Sequence, residues 1–130
     1  MSTETATRQT LAPMLTVHDC ASAIDFYKQA FGAIEEGECI PWEGKIGHAE
    51  ITINGSHIMM ADEFADHNRS PRQLGGTSVM LSITVDDCDK ATERAVNAGA
   101  EIIREPETQP YGRLSKLRDP YGHVWFLHQR

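Results

Sequence analysis

Histidine and carboxylate side chains two residues apart on an extended segment point to the same side of a sheet. His48 and Glu50 have this spacing, and residues 45–53 alternate as a strand should. A histidine beside a carboxylate can take a proton from carbon and return it, because imidazole titrates near neutral pH. This makes His48 and Glu50 the candidate catalytic pair. With His57 added, the same residues offer nitrogen and oxygen donors for a displaced metal ion. The plainer reading is polar side chains lining a wet cleft. His57 and His128 also share a face by strand parity, whereas His18, His67 and His123 fall in expected loops or turns at the surface.

Other residues point to binding rather than chemistry. Trp42, Tyr111 and Arg113 can stack on a planar ligand at a cleft mouth, or form a contact between two copies of the chain. Met14, Met59 and Met80 are soft side chains suited to an adaptable apolar pocket, while Met60 reads as core. Cys20, Cys39 and Cys88 have no CxxC spacing, so a disulfide framework or zinc knuckle is not indicated. No glycine-rich phosphate loop, nucleophile elbow or HExxH motif is present.

The elements that must position these residues occur twice. Residues 14–19 form a short strand pattern, and 21–31 have helical spacing through Ile24, Tyr27 and Phe31, closed by Gly32. Strands are expected at 34–40, 45–53 and 56–61, the last two joined by Asn54-Gly55, a strong hairpin signal. The order then repeats. A strand is expected at 79–85, a helix through Ala91, Ala95, Val96 and Ala98 ending at Gly99, then strands at 101–104, 113–118 and 123–128. Asp86-Asp87 offers caps for the second helix, and Asp119-Pro120-Tyr121-Gly122 is a turn. Val17 matches Val85 at 68 residues, while Gly32 and Gly55 match Gly99 and Gly122 at 67. Three landmarks at nearly one offset indicate an internal duplication.

The expected fold is therefore α+β: two tandem βαβββ modules, 11–62 and 78–130, joined by a polar linker at 63–77. Residues 1–10 read as a loose arm without the apolar stretch of a secretory signal. The chain has 130 residues, suited to one domain. Its net charge of −7 argues against a nucleic-acid partner. No apolar run is long enough to span a membrane, and a cytoplasmic location is expected.

Specific residues carry a resemblance. Ala23-Ile24-Asp25-Phe26-Tyr27, Ala30-Phe31-Gly32-Ala33, Ala98-Gly99-Ala100 and Asp119-Pro120-Tyr121-Gly122-His123-Val124-Trp125 together resemble the vicinal oxygen chelate superfamily of glyoxalases, bleomycin-resistance proteins and ring-cleaving dioxygenases. The chain is most similar to the PhnB-like, glyoxalase-related branch. The resemblance implies curved sheets around a cleft, helices on the outer face, and pairing of modules within a chain or across a homodimer. It also implies that enzymes of the family hold a divalent metal on the first and fourth strands of each module.

Parity assigns the faces. Leu15, Val17, Leu81, Ile83, Val85, Ile51, Ile53 and Trp125 should pack under the helices. Ala12, Met14, Thr16, Met80, Ser82, Thr84, His48, Glu50, Thr52, His57, Met59, Val124, Phe126 and His128 should face the cleft. Leu114 and Leu117 have opposite parity, so the faces of 113–118 stay open. The four family metal positions map to Ala12, Met59, Met80 and Phe126, none of which suits a catalytic divalent ion. The expectation is a protein without cofactor or metal that binds or sequesters a small, largely apolar or aromatic molecule, in the manner of natural-product or antibiotic self-resistance. The contacts expected for that ligand are Met14, Trp42, His48, Glu50, His57, Met59, Met80, Tyr111, Arg113 and Phe126. The alternative is a glyoxalase-like lyase or isomerase, or a dioxygenase, with a displaced metal or a metal-free acid–base site.

Overall fold

The computed structural model describes residues 10–130, so the arm expected at 1–10 lies outside the described residues except for Thr10. The first module runs β1 (Met14–Val17), α1 (Cys20–Phe31), β2 (Ile34–Glu35), β3 (Ile40–Trp42), β4 (Lys45–Ile53) and β5 (Ser56–Asp62). A short α2 (Pro71–Leu74) follows. The second module runs β6 (Met80–Thr84), α3 (Cys88–Ala98), β7 (Glu101–Gln109), β8 (Gly112–Arg118) and β9 (Val124–Gln129). The strands form two mixed sheets, ordered β1-β5-β4-β2 (with β3 also on β4) and β6-β9-β8-β7. Among the described residues no helix is long and apolar enough to cross a membrane.

The duplication extends to individual bonds. β1 pairs parallel to β5 with Met14 opposite Met59, and β6 pairs parallel to β9 with Ser82 opposite Phe126. Those positions are related by the offsets of 68 and 67. Asp19 and Asp87, also 68 apart, each cap a helix by accepting a bond from a first-turn amide. The Cys20 amide donates to Asp62 Oδ1 at 2.8 Å, and its equivalent at Cys88 donates to Gln129 Oε1 at 2.8 Å. A side chain at the end of the last strand thus anchors the helix start in both modules.

Residues 34–40 do not form one strand. Gly37, at φ 71°, turns the chain between β2 and β3, where no side-chain-bearing residue sits comfortably. β7 is longer than expected, because register shifts absorb Pro106 and extend its pairing with β8 to Gln109. The Asn54-Gly55 hairpin has both residues at positive φ, 51° and 82°, as its sequence requires.

One core serves both modules. α1 packs against α3, and Arg94 of α3 donates to the carbonyls of Gln29 and Lys28, capping the C-terminal end of α1. Trp125 of β9 is buried against Tyr27 and Phe31 of α1, with ring centroids 5.5 and 4.9 Å away. Asp119, the first residue of the expected turn, lies buried at the seam. Its Oδ2 accepts from Tyr27 Oη at 2.5 Å and Trp125 Nε1 at 2.8 Å, and its Oδ1 from the amides of Tyr121 and His123. Four donors make the burial of a carboxylate tolerable there. Burial, then the Asp119 carboxylate, pushes the Tyr27 phenol well above its ordinary range, so it stays a donor.

Three expectations need correction. His123 is buried rather than at the surface, with Nε2 2.9 Å from the Thr16 carbonyl across the seam. His18 is half-buried against the Tyr121 ring, and its Nδ1 is buried without a partner. Val96 is exposed, so α3 presents Thr92 and Ala95 to the core instead. The segment 63–77 is also more than a tether. Asn68 bonds Thr16 and the Asp62 carbonyl, and Pro71 is buried where a Cβ on Gly122 would come within 2.7 Å of it.

Candidate binding faces

Each sheet has one face under the helices and one open face, and register fixes what each open face carries. On the first, Met14, Met59 and Glu50 form a row across β1, β5 and β4. Beside it lie His57, Thr52 and Ile34, and His48 stands opposite Ile40. On the second, Met80, Val124 and Arg118 form one row, and Ser82, Phe126, Lys116 and Arg104 the next. A third row holds Thr84, His128 and Leu114. The open question on β8 is thereby resolved. Leu117 and Ser115 are buried on the helix side, whereas Leu114 and Lys116 are half-buried on the open face.

Glu50 stands between two imidazoles. Its Oε2 is 3.1 Å from His48 Nε2, and its Oε1 is 3.8 Å from His57 Nδ1. The expected pair is therefore real contact, with His57 as a third member. His128 lies on the other sheet, where its Nε2 donates to the Tyr111 carbonyl at 3.1 Å.

The remaining ligand-contact candidates disperse. Trp42 is half exposed at the end of the β3–β4 hairpin, its ring 4.7 Å from Phe64 and 5.1 Å from His67. It borders the first open face rather than lining its centre. Tyr111 projects from the β7–β8 turn with its ring edge toward His128. Arg113 is off the open face. Its parity matches buried Ser115, and it grips Asp89 of α3 through two bonds of 2.7 and 3.0 Å. That guanidinium holds the Asp89 carboxyl below its usual range. Sequence reasoning missed Lys116, Leu114 and Ile40, because only the pairing register shows that they join these faces.

A groove of about 330 Å³ lies between the modules, lined largely by helix-side residues. His57 from the first face and Ser82 and Thr84 from the second reach it, over Ile58, Ile83 and Trp125. Met14 and Met80 instead stand open, 48% and 49% exposed.

The resemblance implies a metal on the first and fourth strands, and the donor chemistry here does not fit one. Ala12 and Phe126 carry no donor atom, and the thioethers of Met59 and Met80 suit soft ions only. For the displaced alternative, His48, Glu50 and His57 are neighbours, but among the described residues no three His, Cys, Asp or Glu side chains converge so as to hold a metal ion.

Comparison with known proteins agrees with this architecture. The family model described as "Glyoxalase/Bleomycin resistance protein/Dioxygenase superfamily" matches residues 9–127. An uncharacterised protein of Mycobacterium bovis is 43% identical over 124 residues, covering 92% of this chain and 82% of that one. The crystal structure of TioX from Micromonospora sp. ML1 superposes with a TM-score of 0.71 at 26% identity, covering 94% of this chain and 96% of the other. A shorter match, 38% identical over 56 residues, is to the anthracycline biosynthesis protein DauV of Streptomyces sp. (strain C5), covering 39% of this chain and 20% of DauV. With two βαβββ modules in one duplicated register and a family match spanning nearly the whole chain, this protein belongs to the glyoxalase/bleomycin resistance protein/dioxygenase superfamily.

Proposed function

We propose that this chain binds and sequesters a small, largely apolar or aromatic molecule on its open sheet faces, without a metal, as a bleomycin-resistance-like protein. The observation that carries this reading is the half exposure of Met14 and Met80, with Met59 and Phe126 beside them. Adaptable apolar side chains gathered on open surface mark an interaction site. Three of these four, Met59, Met80 and Phe126, together with Ala12, stand where a metalloenzyme of the superfamily has its donors. The cleft then offers packing surface instead of Lewis acidity. Sequestration needs only stoichiometric binding, which fits natural-product self-protection in the cytoplasm. The partial similarity to a protein named for anthracycline biosynthesis supports the same chemical setting.

In this proposal a second copy completes the cleft, with the first face of one chain opposite the second face of the other. Glu50 and Lys116 support it. They pair with Met59 and Phe126, which are equivalent in the duplication, so a twofold arrangement sets opposite charges across the cleft. One observation favours a second reading. A carboxylate within hydrogen-bond reach of an imidazole can pass a proton to it, so a metal-free lyase or isomerase acting through Glu50 and His48 is the alternative.

Fluorescence titration with planar aromatic probes tests the first reading. Saturable binding is expected, weakened about tenfold by Phe126→Ala or Met80→Glu, one such side chain being worth about 1.4 kcal/mol or more. Binding unchanged in both variants contradicts it. Turnover of a bound compound, lost in Glu50→Gln, decides for the second. Sedimentation at micromolar concentration should show a dimer.

A further inference from the structure

Resting on that binding reading, we infer that the ligand is an apolar planar acid, and that Lys116 receives its anionic group. Five cations lie on strands. Lys45 donates to the Glu63 carbonyl, Arg104 pairs with Glu107, Arg113 with Asp89 and Arg118 with Glu101. Among the described residues Lys116 alone of the five has neither an anionic nor a carbonyl partner. It is half-buried near the middle of the second open face, directly opposite Phe126, with Nζ 5.7 Å from that ring centroid.

Two features suit this position to an anion. Arg104 stands opposite Lys116 on the other side, and like charges directly opposite across strands repel. Glu107 answers Arg104 and leaves Lys116 uncompensated. An anion over Phe126 relieves that repulsion while its apolar body covers Phe126, Val124 and Met80. Further, the chain carries a net charge of −7, so its general field repels acids. Selection of an acid therefore needs a specific, partly desolvated cation, and among the described strand cations Lys116 is the one free for it. The rival anion is Glu50 of a second copy. Glu50 is hydrogen-bonded to His48, so in the proposed pairing it faces Lys116 across the ligand rather than bonding it, which favours the ligand.

The test compares 2-naphthoate with the neutral, near-isosteric 2-naphthamide on the full-length chain, by fluorescence titration at low and high salt. The expected result is naphthoate bound about tenfold tighter, the scale of one charge-assisted hydrogen bond in a half-exposed site, with the margin shrinking in salt. Lys116→Met should bring the two within about twofold while leaving naphthamide binding intact, and Lys116→Arg should keep the margin. If both probes bind wild type equally, or the margin survives Lys116→Met, the assignment is overturned and the binding reading stands. If neither probe binds, both fall. If Lys116→Met instead dissociates a dimer and leaves the margin alone, Lys116 belongs to the contact between copies and the assignment is overturned.

Discussion

Asp119→Asn removes one charge and changes almost nothing in size, so it isolates what the seam carboxylate does. The amide oxygen can still accept from the Tyr121 and His123 amides. The amide nitrogen then faces Tyr27 Oη and Trp125 Nε1, which donate to Oδ2 in the native chain. The tyrosine hydroxyl can rotate and accept, but the indole N–H can only donate, so two buried donors confront each other. One unsatisfied buried donor costs about 1–3 kcal/mol, and the remaining bonds lose their charge assistance. We expect a loss of about 3 kcal/mol, or roughly 10 °C in Tm for a chain of this size. Urea unfolding measures it, with Trp125→Phe as the second leg of a double-mutant cycle. The cost of Asp119→Asn should fall by about 1–2 kcal/mol in the Trp125→Phe background, because the clashing donor is gone. A cost below about 1 kcal/mol, or strict additivity, contradicts the role of Asp119 as the buried acceptor shared by these donors.

Burial, then Asp62, pushes the Cys20 thiol up to about 12, and burial with Glu35 raises Cys39. A disulfide reagent at pH 8 should therefore modify only Cys39 in the folded chain, slowly and faster as pH rises, and all cysteines in denaturant; rapid native labelling of Cys20 contradicts the buried helix start. Protein purified without chelator or affinity tag should carry no stoichiometric transition metal, since the four positions lack suitable donors. One equivalent found by elemental analysis and lost on His48→Ala overturns that reading.

Most of the frame was legible because the duplication supplies two readings of each element. Gly32 and Gly99, or Gly55 and Gly122, each mean little alone but fix register as pairs. Strand parity then placed Leu15, Ile51 and Trp125 in the core and Met14, Met59 and Phe126 on open faces. What parity could not reach depends on irregularity. Gly37 split a strand, and the register shifts in β7 extended another. Arg113 was expected at a cleft mouth and lies instead on the helix side, because its parity follows Ser115, a polar residue that reads as surface in sequence and is buried against Thr92. Asp119 shows the same limit. A turn residue by composition, it is a buried hub because donors from α1 and β9 converge on it from 92 and 6 residues away.

In the proposed function the open faces, not the helix faces, hold the ligand. Amide chemical-shift mapping of the labelled full-length chain during titration with 2-naphthoate tests it directly. Saturable shifts are expected, concentrated at Met14, Met59, Met80, Lys116 and Phe126, on β1, β5, β6, β8 and β9. Shifts centred on α1 and α3, or none at saturating probe, contradict it.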